Sequence, residues 1–172
     1  MAFDTRNWQD WVNVGTAVGT SLANRGGSNP YDDPNIQRGL EILDANNGEI
    51  WAKLEAGTEE YFKLVDRTPI PFRQILDNIT GAARRRSIVI QALFMRVHGE
   101  APPHAELLAF CDRLNEVVDA GGQIKLVQVY TVARRTTESY VAPLTMDEVD
   151  RIASLVRERT GLAATEFYGV GI

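Results

Sequence analysis

Residues 87–97, SIVIQALFMRV, and residues 124–134, IKLVQVYTVAR, decide the fold of this chain. Each is a run of apolar and β-branched residues that is typical of a buried strand, with a polar residue in the middle of the strand. The segments WAKLEAG and ATEFYG show the same pattern. The four polar residues are Glu55, Gln91, Gln128 and Glu166. They lie about 36 to 38 positions apart, the interval that one strand, one helix and two loops need when the strands run parallel. Because ligands gather near the carboxyl ends of such strands, the pattern predicts a site there.

Helical segments alternate with these strands. Apolar residues recur at helical spacing after Asn35, Thr58, Phe72, Pro102 and Thr145. The spacing predicts strands over residues 49–57, 88–97, 124–132 and 164–170. The order is therefore that of an α/β fold with about four βα units and right-handed crossovers.

Residues 1–34 have a different composition from the rest of the chain. They are rich in Gly, Ser, Asn and Asp and show little periodicity, although Val12 to Leu22 could form a short strand. We interpret residues 1–34 as a poorly defined N-terminal lead-in. Residues 35–172 then form the domain.

Composition excludes several classes of function. The chain has 172 residues and a net charge of -5, which gives no reason to expect nucleic acid as a partner. No apolar run approaches the ~20 residues that span a bilayer, and the amino terminus does not resemble a signal peptide. We therefore expect a cytoplasmic protein without a membrane partner. A single cysteine, Cys111, excludes an intrachain disulfide and any metal site that needs several thiolates from this chain.

Alternation along the strands sorts their side chains onto two faces. One face carries apolar residues suited to packing against helices: Ala52, Leu54, Ile90, Phe94, Val127 and Val129. The other face would line a lumen, with these candidate ligand-binding residues: Lys53, Glu55, Gln91, Gln128 and Tyr130. A purely structural polar layer is the alternative, in which Lys53 pairs with Glu55 and the two glutamines bond through their amides.

The loops that follow the strands add further polar residues. These are Thr58, Arg96, His98, Arg134 and Arg135. An arginine at such a place could bind a carboxylate or phosphate, but an exposed loop arginine is more often solvated. His98 and His104 do not have the spacing of a metal site, and Cys111 lies on the apolar side of a helix, as a buried and inert thiol does.

Several of these strings resemble the later strands of radical SAM proteins. The segments are WAKLEAGTEEYFKLVDR, SIVIQALFMRVHGEAP and GGQIKLVQVYTVAR followed by VAPLT, and the likeness runs from about Asn35 to about Gly169. The resemblance implies a partial parallel (β/α) barrel, a TIM-barrel-like half-barrel. It also implies a [4Fe–4S] cluster and S-adenosyl-L-methionine, whose sulfonium the family cleaves reductively. Residues at the positions of Glu55, Gln91 and Gln128 would line the cavity near the cofactor or substrate.

The chain also departs from the family pattern. The three-cysteine cluster motif, Cys-x-x-x-Cys-x-x-Cys, is absent, and the single thiol of Cys111 cannot supply three iron ligands. Glu55 stands where the family strand has Asp. The chain thus resembles the C-terminal half of the barrel, truncated or made separately, without the cluster-binding N-terminal half, and we expect that it does not cleave S-adenosylmethionine alone.

Three functions follow from these observations. The first is the C-terminal part of a radical SAM-type enzyme that needs a partner chain carrying the cluster. The second is a non-catalytic half-barrel binding module that forms a homodimer, because a half-barrel leaves sheet edges open. The third is an unrelated small α/β enzyme that uses Glu55 and Lys53 as acid and base. The substrate and the type of reaction do not follow from the sequence.

Overall fold

The structure, a computed structural model, describes residues 34–134 and 136–169. Within these ranges the helices are α1 (Pro34–Ala45), α2 (Glu59–Val65), α3 (Phe72–Arg85), α4 (His104–Asp119) and α5 (Met146–Thr160). The strands are β1 (Trp51–Lys53), β2 (Ile88–Leu93), β3 (Met95–Val97), β4 (Ile124–Tyr130), β5 (Val141–Pro143) and β6 (Ala164–Phe167). The strand considered over Val12 to Leu22 lies outside the described residues, as does Arg135.

Four strands form a parallel sheet in the order β1-β2-β4-β6, which is their order in the chain. The predicted α/β fold with parallel strands is therefore confirmed. Each crossover has the same hand and leads to the next strand on the same side of the previous one. The helices of these crossovers therefore lie on the same face of the sheet. That arrangement is the one found in a segment of a (β/α) barrel, whereas a doubly wound sheet reverses direction and is covered on both faces.

One hydrophobic core lies between the helices and one face of the sheet. The buried apolar side chains of all five helices belong to this core, together with Leu54, Ile90, Ala92, Val127 and Val129 of the sheet. The predicted helix-facing side of the strands is thus confirmed. None of the helices in the described ranges is long and apolar enough to cross a bilayer.

The strand predicted over residues 88–97 is wrong in its extent, because it breaks at Phe94. The Phe94 ring is buried and meets the Phe110 ring edge-on, with centroids 5.3 Å apart. Beyond it, β3 leaves the parallel sheet and pairs antiparallel with β5, a strand that the sequence analysis missed. The predicted strands over 124–132 and 164–170 are likewise too long, since β4 ends at Tyr130 and β6 at Phe167.

The ends of α5 follow the predicted signals. Thr145 and Glu148 form a reciprocal capping box at its start, and Gly161 takes a left-handed conformation with φ 71° at its end. Local sequence therefore determines where this helix begins and ends.

Gly57, in the turn between β1 and α2, packs directly on the backbone of α4. A β-carbon on Gly57 would lie 2.1 Å from Phe110 N, so neither backbone can accommodate it. We predict that Gly57→Ala lowers the free energy of unfolding by about 3 kcal/mol or more, measured by chemical denaturation.

Gly39→Ala is the matched control for this substitution. Gly39 lies within α1, where an added β-carbon meets nothing within 4 Å. Because alanine favours a helix interior, this variant is expected to gain roughly 0.5–1 kcal/mol. Equal effects of the two variants would contradict the close packing at Gly57.

Candidate functional site

The predicted lumen residues come together on the face of the sheet opposite the helical core. Lys53 pairs in register with Gln91, and Gln91 pairs with Gln128, so three polar side chains form a row across neighbouring strands. Glu55 follows the end of β1 and Tyr130 ends β4. We call these five residues, together with Asp66, the polar face.

The two glutamines of the row bond to each other. Gln91 Nε2 donates to Gln128 Oε1 over 3.3 Å, and Gln128 is only 9% exposed. The amide pair predicted as the structural alternative is therefore present. It satisfies one donor and one acceptor out of the several that two amides possess, which leaves capacity for a ligand.

Lys53 and Glu55 form the ion pair that the sequence analysis considered. The Lys53 ammonium lies 2.8 Å from Glu55 Oε1, with 49% of the Lys53 side chain exposed and 6% of the Glu55 side chain. Burial, the largest single cause, lowers the pKa of Lys53, but the charge and hydrogen bond of Glu55 together with the charges of Tyr130 and Asp66 outweigh it, so the pKa is raised. Lys53 is thus held in its charged form, which disfavours it as a general base.

Asp66, which the sequence analysis missed, completes the polar face. It follows the end of α2, near enough to Glu55 for the charge of that carboxyl to affect its pKa. Burial, followed by the charge of Glu55, raises the pKa of Asp66 to about 7. The Asp66 carboxyl therefore keeps its proton up to near neutral pH.

The phenol of Tyr130 stays neutral beside these charges. Burial raises its pKa to about 12, and the Lys53 charge opposes this shift while the charges of Glu55 and Asp66 add to it. Tyr130 can therefore donate or accept a hydrogen bond in this site at any physiological pH.

Glu106 fixes the turn that brings Glu55 and Asp66 together. Its buried carboxylate accepts hydrogen bonds from Gly57 N at 2.5 Å, Thr58 N at 3.2 Å and Thr58 Oγ1 at 2.7 Å. The sequence analysis missed it as well, because a glutamate in the first turn of a helix is usually solvated there. Its position opposite Gly57 exists only in the folded chain.

Glu166 does not continue the polar row, so that prediction is wrong. Gln128 pairs in register with Thr165, which puts Thr165 and Phe167 on the side of the polar row. Glu166 faces the helices instead and forms an ion pair with Arg157 over 2.8 Å. A shift of one residue in the register of a strand moves each of its side chains to the opposite face of the sheet.

The loop residues proposed from sequence have structural partners elsewhere. Thr58 Oγ1 caps α2 by accepting from Tyr61 N, and Arg96 forms an ion pair with Glu148. The His98 ring stacks on Tyr140 with centroids 4.5 Å apart. Of the two remaining arginines, Arg134 follows the end of β4 and Arg135 lies outside the described residues.

The residues present do not fit an iron–sulfur cluster. Cys111, the single cysteine of the chain, is 1% exposed in the core, and burial raises the pKa of its thiol to about 11. Residues 34–134 and 136–169 contain no group of three His, Cys, Asp or Glu side chains placed to hold a metal ion.

The polar face does fit a small zwitterionic or cationic molecule. It presents amides, a phenol, an ammonium and two carboxyls, and Asp66 Oδ2 is buried without a hydrogen-bond donor from the described residues. A buried acceptor of this kind needs a donor or a cation. S-adenosylmethionine has an ammonium, a sulfonium and a carboxylate, and its groups match this set.

Comparison with known proteins supports the fold. The chain is similar to the crystal structure of a radical SAM methyltransferase from Sphaerobacter thermophilus, with a TM-score of 0.52 and 17% sequence identity. The similarity covers 77% of this chain and 38% of that protein. No protein family profile matches the chain, and no curated protein matches its sequence. The chain therefore has a mixed α/β fold related to that of a radical SAM protein, over less than half of that protein's length.

Removing the Asp66 carboxyl should change how stability depends on pH. The pKa of Asp66 is raised from 3.8 to about 7, so the folded chain binds the additional proton between these values. The additional proton stabilises the folded chain fully below about pH 4, and this stabilisation is lost as the pH rises to about 7. We predict that Asp66→Asn gains roughly 1–2 kcal/mol over the wild type across this range, measured as free energy of unfolding against pH.

Asp77→Asn is the matched control for this experiment. Asp77 is an exposed residue of α3 that pairs with Arg73 over 2.9 Å. It should retain the wild-type pH dependence. Parallel curves for the wild type and Asp66→Asn would contradict the raised pKa of Asp66.

Proposed function

We propose that this chain is the C-terminal part of a radical SAM-type iron–sulfur enzyme, a partial (β/α) barrel whose polar face binds S-adenosylmethionine. The observation that carries the proposal is the row of polar side chains on the sheet face opposite the helices. The similarity of fold to a radical SAM methyltransferase and the strand strings of the sequence support it.

Each part of the polar face has a role in this proposal. Lys53 would pair with the carboxylate of the ligand, because its ammonium is charged and half exposed. The amides of Gln91 and Gln128 and the phenol of Tyr130 would bond to the polar groups of the ligand. In radical SAM proteins, bound S-adenosylmethionine supplies the radical after it accepts one electron.

Cleavage is separate from binding in this proposal. A cluster of the family type needs three cysteine ligands, and this chain has one cysteine, buried in the core. The chain alone would therefore not cleave S-adenosylmethionine. A partner chain or segment would have to supply the cluster.

Calorimetric titration of S-adenosylmethionine into the iron-free chain tests the binding site. We expect saturable binding that Gln128→Leu weakens by about tenfold, since the variant removes a hydrogen-bonding amide from a nearly buried position. The matched control is Gln123→Leu, because Gln123 is exposed next to the other end of β4. That variant should bind like the wild type.

Two results would contradict the proposal. One is the absence of binding to the wild-type chain, and the other is equal weakening by both glutamine variants. Incubation of the same samples with a chemical reductant should yield no 5′-deoxyadenosine, and its formation would contradict the claim that cleavage needs a partner.

A non-catalytic, dimerising half-barrel is the second candidate function. It is favoured by β6, which pairs only with β4 among the described strands. This strand ends in Phe167, which is 46% exposed, and Tyr168 follows it with 45% exposure. An edge strand with exposed aromatic residues favours pairing with a second copy or with a partner chain.

Sedimentation equilibrium tests the second candidate. A dimer has twice the 19.1 kDa mass of one chain, and Phe167→Lys should return it to the monomer because the charge would be buried at the edge. Ile42→Lys is the control, since Ile42 is 59% exposed on α1, away from β6. A monomeric mass for the wild type at every concentration would rule out the homodimer.

A further inference from the structure

We propose that residues 12–18, VNVGTAV, form a further parallel strand that pairs with the edge of β1 facing away from β2. The occupant of this edge would then be a segment of the same chain, which precedes the residues that the structure describes. The topology of the sheet leads to this assignment independently of the proposed function.

β1 lies at one end of the sheet and pairs only with β2 among the described strands. Leu54 N donates to Gln91 O over 3.0 Å, so its backbone group points towards β2. Ile50 O accepts from Val89 N, also over 3.0 Å, and points the same way. Because successive residues of a strand direct their backbone groups to opposite edges, the N–H and C=O of Lys53 point away from β2. Such an edge can accept another strand.

The helix before β1 has the position of a crossover helix. In the parallel sheet, α2 and α3 connect β1 to β2, α4 connects β2 to β4, and α5 connects β4 to β6. α1 leads into β1 in the same way, and its Leu40 is buried in the same core as the other helices. Within residues 34–134 and 136–169, α1 is the one helix that leads into the sheet without a strand before it.

The hand of the crossover decides on which side of β1 a preceding strand would lie. Connections between parallel strands of one sheet are right-handed in about 98% of cases. Since α1 packs on the same face as the other helices, a right-handed connection through α1 steps to β1 in the direction of the step from β1 to β2. The preceding strand therefore lies along the outer edge of β1. A place beside β6 would need a left-handed connection.

The spacing of the strands selects the segment. The strands β1, β2, β4 and β6 begin at residues 51, 88, 124 and 164. The same interval, counted back from β1, leads to about residues 11–15, where VNVGTAV begins. In this segment Val12, Val14 and Val18 alternate with an amide or small residues. Alternation of this kind is typical of a strand with one buried face.

The added strand would complete one side of the polar face. With the valines on the side of the helices, Asn13, Gly15 and Ala17 share the side of Lys53. Asn13 would add an amide to that side, and the two small residues would leave space for a ligand beside the Lys53 ammonium. The outer edge of β1 would be closed to a partner chain, so β6 remains the described edge at which a second copy could pair.

Amide hydrogen exchange followed by NMR tests the pairing. We expect the Lys53 amide of the wild type to exchange at least about 100-fold more slowly than an unstructured amide. Val14→Pro should remove at least about tenfold of this protection, because proline disrupts a strand and its hydrogen bonds. The control is Ser28→Pro, which lies outside the segment and should keep the wild-type rate. The Leu54 amide, which is bonded to Gln91, should stay protected in all three proteins and so reports that each is folded.

Two results would overturn the pairing. One is a Lys53 amide that exchanges in the wild type as fast as an unstructured amide. The other is protection that Val14→Pro leaves unchanged, and a rise of that protection with chain concentration would assign the edge to a second copy. If Val14→Pro does not fold, nuclear Overhauser contacts between Lys53 and residues 12–18 of the wild type decide, and their absence would overturn the pairing.

Urea denaturation tests which face of the segment meets the helices. Val14→Asp should lower the midpoint by about 1 M or more, because it places a charge against the core. Asn13→Asp, its neighbour on the opposite face, should leave the midpoint nearly unchanged. Equal shifts would overturn the assignment of the faces.

This inference and the proposed function fail in different ways, because none of these measurements uses S-adenosylmethionine. Binding of S-adenosylmethionine to a chain whose Lys53 amide is unprotected would overturn the added strand and leave the proposed function standing. A protected edge without binding would support the strand and reject the proposed ligand.

Discussion

The hydrogen bonds from the turn after β1 to the buried carboxylate of Glu106 are the interaction on which the polar face depends. Glu106 lies on α4, and it accepts from Gly57 and Thr58 where the chain leaves the sheet. The turn can approach α4 this closely because Gly57 has no side chain. Glu55 stands immediately before this turn and α2 begins immediately after it, so the same contact fixes both in place. One helix of the core thereby positions the charges on the far side of the sheet.

The two faces of the sheet differ in composition and in role. Its helix-facing side chains are apolar and buried in one core, whereas the opposite side carries amides, a phenol and charged groups. Polar groups on a central strand are costly unless they have partners. The Gln91–Gln128 bond and the Lys53–Glu55 ion pair offset part of that cost, and the raised pKa of Asp66 reduces the charge that is buried there. A ligand that supplies the remaining partners would stabilise the arrangement.

The fold of this chain is similar to part of one radical SAM methyltransferase, over less than half of that protein's length. Its single cysteine is used for packing, with the thiol buried among the residues of the helical core. Under the proposed function, binding of S-adenosylmethionine and its reductive cleavage are separate properties. Each can be measured on its own, which makes the assignment accessible to simple solution experiments.

The sequence by itself determined the order of elements, the start and end of α5, and the apolar side of the strands, because these follow from periodicity and capping within short segments. It also placed Lys53, Gln91 and Gln128 on one face, since strand alternation is a local property. Tertiary structure alone decided the rest. The register of β6 turned Glu166 towards the helices, and Phe94 ended β2 early. Asp66 joined the site from the end of α2, and Glu106 joined it from a helix distant in sequence. Burial and contact between distant residues set these outcomes, and neither is encoded in the spacing of a single segment.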